Sequence, residues 1–169
     1  MAEQRKPIGG LRRVWLIPVE ELREVTFAEG GALSLLLGEG ISPIEVPLLE
    51  EQSLYEEECT LREGCPSVEH RLALALDRFE VEPSDVEGLQ RSLSHGVVAL
   101  LETLGGEGFL AGWSRRLGKE APLRLTSLFE GSGRQRKESP SLRLILCSRD
   151  GWPALPISIT ENLKTNEKT

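Results

Sequence analysis

Residues 67–77 read SVEHRLALALD. Val68, His70, Leu72, Leu74 and Leu76 fall on one side of an extended chain, and Glu69, Arg71, Ala73, Ala75 and Asp77 fall on the other. This alternation is the pattern of a strand with one face against a core, because successive side chains of extended backbone point to opposite faces. It places His70 on the same side as four aliphatic residues, near the strand's start.

Working outward, the flanking segments read the same way. Upstream, LRRVWLIPVE is apolar enough for a strand, with Pro18 near its end as expected of an edge or a terminus. EVTFAEGGALSLLLGEG reads as a hairpin: Val25 and Phe27 alternate with polar neighbours, Gly30-Gly31 supplies a tight turn, Leu33 to Leu37 return, and Gly38 and Gly40 close the strand. Downstream, Ser84 and Glu87 form the S-x-x-E pattern of a capping box. Val86, Leu89 and Leu93 then recur at helical spacing until Gly96, which predicts a helix of about three turns.

Strands resume after the helix. VVALLETLGGEGFLAGW predicts a second hairpin around Gly105-Gly106, and PLRLTSLF and SLRLILCS predict two strands joined by the flexible, basic loop EGSGRQRKESP. Seven or eight strands with one helix, lacking regular strand and helix alternation, predict a mainly β (α+β) fold. The expected form is an antiparallel β-sandwich or partly closed barrel flanked by a short helix. A single β-rich domain is expected over residues 1–152, with an acidic excursion at 39–64 and a polar, fraying tail at 153–169.

Composition supports an ordinary folded domain: of 169 residues, 39% are hydrophobic and 28% charged. The net charge of -7 argues against nonspecific nucleic-acid binding, which depends on lysines and arginines neutralising phosphates. The imbalance is uneven, with 17 acids against 8 bases in residues 1–83 and 10 against 12 thereafter. No apolar run reaches the roughly 18 residues of a membrane span. The opening MAEQRKPIGG lacks a secretory signal pattern, so synthesis and retention in a cytoplasm, with reduced thiols, are expected.

CTLREGCPSVEH brings Cys59, Cys65 and His70 within twelve residues, and Cys147 could join them by folding. The spacing C-x5-C-x4-H lacks the close cysteine pair of zinc knuckles, so small packed thiols are the expected reading and no metal is expected. His95 follows Ser94 at the helix end without a nucleophile elbow around it, and a contact with the last carbonyls is expected there. GGEGFLAG lacks the lysine and hydroxyl residue of a P-loop. Trp15, Trp113 and Trp152 lie far apart in sequence and read as packing anchors. No catalytic residue, cofactor or metal ligand emerges, and a non-enzymatic role is expected.

The layout of residues 84–150, a short helix followed by HGVVALLETLGGEGFLAGW and then APLRLTSLFEGSGRQRKESPSLRLILCSRD, resembles small virion structural proteins of phages and prophages of gut bacteria. With SVEHRLALALD the resemblance extends over roughly residues 67–150. It implies a tail-tube-like or neck-like sandwich that assembles head to tail with copies of itself and with other virion proteins, ending up in a virion. Such proteins present a long β-rich assembly arm, whereas EEQSLYEEECTLREG is acidic and only weakly strand-like. The alternative is a cytoplasmic interaction module that binds a basic partner through the acidic 39–64 segment.

Opposite charges on one chain suit a heterologous contact. The expected interface joins Glu50, Glu51, Glu56, Glu57 and Glu58 of one subunit to Arg134, Arg136 and Lys137 of the next. Reversing the charge of the three bases should weaken assembly measured by light scattering, and unchanged assembly would remove this contact.

Overall fold

The computed structural model describes residues 10–27, 33–49, 52–77, 90–131 and 141–157. Its organising layer is a five-stranded antiparallel sheet of β1 (Leu11–Pro18), β4 (Ile44–Glu45), β7 (Val97–Thr103), β8 (Gly108–Ala111) and β11 (Leu155–Ile157), in the spatial order β11-β8-β7-β1-β4. A four-stranded sheet packs on one face. It consists of β5 (Leu54–Arg62), β6 (Cys65–Asp77), β9 (Arg124–Gly131) and β10 (Ser141–Asp150), in the order β5-β6-β10-β9. The ribbon of β2 (Leu22–Phe27) and β3 (Leu33–Leu37) packs on the other face.

These two faces explain the sequence patterns. Val14, Leu16, Val97, Ala99 and Leu101 meet the inner face of the four-stranded sheet, where Leu72, Leu74, Leu76, Leu142, Leu144 and Leu146 are all buried. Trp15, Ile17, Val98 and Leu100 turn the other way and meet Leu22, Leu35 and Leu37 of the ribbon. β1 and β7 are therefore buried on both faces and read as near-continuous apolar runs, while β6 and β10 are covered on one face and alternate. Each fully buried leucine contributes about 1.5–3 kcal/mol. Exposed ion pairs such as Arg13–Glu45, at 2.8 Å, contribute far less, so the two clusters set the stability.

The sandwich is open-edged rather than a barrel. β1 lies inside its sheet between β7 and β4, with Pro18 as its last residue, so the proline marks a terminus and not an edge. The acidic excursion is not irregular throughout: Leu54–Arg62 form a full strand paired along β6. The segment from Pro153 does not simply fray either, because Leu155–Ile157 add β11 to the edge of the larger sheet beside β8. Residues 90–95 form the end of the helix, with Leu93 buried in the main core and the chain turning at Gly96, where φ is 113°. The capping box at Ser84 and Glu87, the Gly30-Gly31 turn, and Glu50, Glu51, Arg134, Arg136 and Lys137 lie outside the described residues.

Gly112 carries the tightest backbone approach with a left-handed conformation. Its φ is +85°, and a Cβ there would stand 2.7 Å from the Val97 carbonyl oxygen and 3.0 Å from the Leu123 amide nitrogen. Those two residues exchange backbone hydrogen bonds of 2.8 and 2.9 Å that dock the start of β7. Gly112→Ala should cost about 1–3 kcal/mol, lowering Tm by about 3–10 °C. Gly105→Ala, whose Cβ would meet nothing nearer than 3.7 Å, should leave Tm almost unchanged. Equal effects of the two substitutions in a melting experiment would contradict this account.

Candidate functional site: a buried histidine network at the root of a β arm

β5 and β6 are joined by the two-residue turn Glu63-Gly64, both with positive φ (52° and 79°), the backbone signature of a tight hairpin matched to strand twist. Arg62 therefore faces Cys65, and counting back along the ladder sets Thr60 against Ser67, Glu58 against Glu69 and Glu57 against His70. β10 reaches only as far as Val68, which it pairs through Asp150. Beyond that point the hairpin continues as two strands without a third, and every residue from Glu58 to Pro66 is exposed. The result is an arm that leaves the end of the sandwich.

The arm has two unlike faces, because directly opposed residues share a side of the sheet. Cys59 with Val68 and Leu61 with Pro66 continue the inner face, and Leu61 is 74% exposed. Glu58, Thr60, Arg62, Ser67 and Glu69 line the outer face and, with Arg149, form an open polar groove of about 180 Å3. Arg149 donates to Glu69 at 2.9 Å across it.

At the root of the arm the inner face turns polar. His70 is 2% exposed, as the alternation in SVEHRLALALD requires, and sits beside Tyr55 and Glu57 of β5 and Asp150 of β10. The Tyr55 hydroxyl donates to Glu57 Oε1 at 2.8 Å. The same carboxylate oxygen accepts the Ala154 amide at 2.7 Å. His70 Nδ1 lies 2.6 Å from the Tyr55 oxygen, and Nε2 lies 3.0 Å from Asp150 Oδ1, which also accepts the Trp152 amide at 2.8 Å.

Counting protons shows what each state of the ring requires of its neighbours. Tyr55 has one hydroxyl proton and two neighbours for it: given to Glu57, it leaves the oxygen to accept from Nδ1, and given to Nδ1, it serves a neutral ring. Asp150 Oδ1 accepts from Nε2 on the other side. With the Tyr55 proton on Glu57, both ring nitrogens donate, which is the hydrogen-bond pattern of an imidazolium.

The electrostatics agree. Burial alone pushes His70 down, but Glu57 and Asp150 more than offset it, and the net shift is upward. Burial likewise pushes Glu57 up, and the contacts with His70, the Ala154 amide and Tyr55 outweigh it, holding the carboxyl below its usual range. Burial, reinforced by Glu57 and Asp150, raises the Tyr55 phenol and keeps it protonated.

The arrangement can hold a charge and fix geometry, but it offers no activated nucleophile. Ser148 stands opposite His70 on β10, with its hydroxyl buried and unpartnered among the described residues. Both His70 nitrogens are already engaged by Tyr55 and Asp150, so neither is free to take its proton.

The sequence-derived candidates divide between faces. Glu57 belongs to the network and turns inward, whereas its neighbours Glu56 and Glu58 turn outward, because successive side chains of a strand point to opposite faces. Glu56 points outward and pairs with Arg71 at 3.2 Å, and Glu58 lines the outer groove. Cys59 and Cys65 are exposed on opposite faces, and Cys147, opposite Arg71, lies on the outer face away from His70. The four residues make no common site, and no group of metal ligands occurs among the described residues. His95 is exposed and lies 3.7 Å from Glu20.

Tyr55 and Asp150 were not singled out by sequence. The available signal was the Glu63-Gly64 turn, from which the register alone places Glu57 across from His70. No family model, curated protein or solved structure matches the chain.

The shifts of His70 and Glu57 predict how the network's contribution to stability varies with pH. His70, raised in the fold, contributes fully below its ordinary value of 6.5, and this is lost as pH rises through its folded value. Glu57, lowered in the fold, contributes fully above its ordinary 4.5, and this is lost as pH falls through its folded value. Tm should therefore be highest between pH 4.5 and 6.5. His70→Ala should cost about 3–5 kcal/mol by leaving the surrounding polar groups unpaired, and should flatten the alkaline side of a Tm against pH curve.

Proposed function

We propose that this protein is a structural subunit that assembles with copies of itself, a tail-tube-like or neck-like component of a phage or prophage virion, with the arm around Leu61 as its contact element. The observation that carries the proposal is the arm. Leu61 and Pro66 continue a core-facing side of the sheet into solvent, where nothing in the same chain covers them among the described residues. A two-stranded ribbon is marginal by itself in water, and covering its apolar side with another subunit would stabilise it. The β arm also supplies the feature that the acidic EEQSLYEEECTLREG segment lacked when read as sequence.

The alternative, a module that binds a basic partner through residues 39–64, draws less support from the geometry. Glu56 is paired with Arg71, while Glu58 and Glu69 share their groove with Arg62 and Arg149, so the acids of the arm are interleaved with arginines. That leaves a mixed-charge surface rather than an acidic one.

The test is assembly measured by light scattering and negative-stain electron microscopy. The native protein should form rings or stacks as concentration rises, and Leu61→Asp should shift it to monomer. At 74% exposure Leu61 can be replaced with a change of only about 0.5 kcal/mol in fold stability, so an unaltered circular dichroism spectrum is expected. A native protein that stays monomeric at every attainable concentration would overturn the proposal.

A further inference from the structure

We propose that the charged His70 is a pH-operated latch that holds the arm in its assembly position, and that loss of its proton releases the arm and disfavours assembly. The idea rests on the assembly role proposed above and concerns the regulation of the same element. It follows from the hydrogen bonds on either side of the ring and the pieces of chain that they tie together.

The network joins three pieces of chain that are otherwise only neighbours. Glu57 and Tyr55 belong to β5 and His70 to β6, the two strands that continue into the arm. Asp150 ends β10, the strand whose termination leaves the arm unsupported. Through the Trp152 and Ala154 amides, Asp150 and Glu57 also fix the crossover that leads into β11 of the other sheet. His70 is the member that touches both sides, through Tyr55 and Glu57 on one and Asp150 on the other.

Removing one proton leaves this arrangement inconsistent. A neutral ring donates from only one nitrogen. If Nε2 keeps its proton for Asp150, Nδ1 becomes an acceptor facing the Tyr55 oxygen. Tyr55 must then turn its only proton from Glu57 to the ring, leaving Glu57 with the Ala154 amide alone. If Nδ1 keeps the proton, Nε2 faces Asp150 with a lone pair. In either case two acidic groups are left at the arm root without the cation between them.

The charged groups bearing on the ring among the described residues are Glu57 from β5 and Asp150 from β10, with the neutral Tyr55 hydroxyl against Nδ1 and the neutral Ser148 opposite on β10. No compensating base stands in this group. The upward shift of His70 sets the direction: the latch is closed on the acidic side of its midpoint and opens as pH rises.

The experiment follows three quantities between pH 5 and 10 on the full chain: the imidazole nitrogen shifts of His70 by NMR, the exchange protection of the amides of residues 58–65 and 67 corrected for intrinsic rates, and oligomer size by light scattering. All three should change with one midpoint above 6.5. Glu57→Gln, which keeps the shape and removes the neighbouring charge, should lower that midpoint by about one pH unit or more. His70→Gln should abolish the pH dependence of protection.

Arm protection that stays constant while the ring titrates would overturn the latch. So would a ring that titrates below 6.5. If the protein never assembles, the assembly reading fails by itself, and the arm protection curve still decides whether the latch exists.

Discussion

A histidine hydrogen-bonded on both sides, buried where the sandwich gives way to the arm, organises this end of the molecule. His70 lies in line with the leucines of β6, but the strands beside it bring Glu57, directly opposite, and Asp150, two residues along from the opposed Ser148, to the ring rather than aliphatic partners. An ion pair in such a place is not a strong source of stability, since desolvation offsets most of its attraction and well-packed apolar side chains would do about as well. What it adds is direction. Aliphatic side chains could slide or splay at the end of a sheet, whereas a ring with two donors accepts only neighbours at fixed positions and angles.

Strand length supplies the second constraint. β6 spans Cys65–Asp77, 13 residues, and β10 spans 10, so pairing from Asp77 downward exhausts β10 at Val68 and leaves Cys65 to Ser67 with β5 alone. The hairpin therefore outruns both its third strand and the second sheet. The network sits just inside that boundary, and β11 then carries the chain to the other sheet. Arm, sandwich end and crossover meet around one side chain.

Much of this fold could be read from the sequence wherever a strand is covered on one face. SVEHRLALALD and SLRLILCS alternate because one side of each meets the core, and that is why the inward direction of His70 was legible. VVALLET was recognisable as apolar but not as central, since burial on both faces erases alternation. β5 was obscured for the opposite reason: its distal residues are exposed on both faces, so no apolar period marks them, and its five-residue run from Tyr55 to Cys59 carries three consecutive glutamates. β11 was hidden by the prolines and small residues around it. Of the site, the inward direction of His70 was legible by alternation, whereas Glu57 read as one acid of an interface cluster; their meeting depends on hairpin register, and Asp150 reaches them only through a strand pairing 80 residues away in sequence.

The most direct measurement of the central claim is the protonation of the His70 ring at neutral pH, read from a long-range proton-nitrogen correlation spectrum of the labelled protein. The account predicts both ring nitrogens protonated, with couplings to slowly exchanging protons. One protonated and one bare nitrogen at pH 7 would contradict it, because the Tyr55 hydroxyl would then be donating to the ring and the charge at the arm root would be absent.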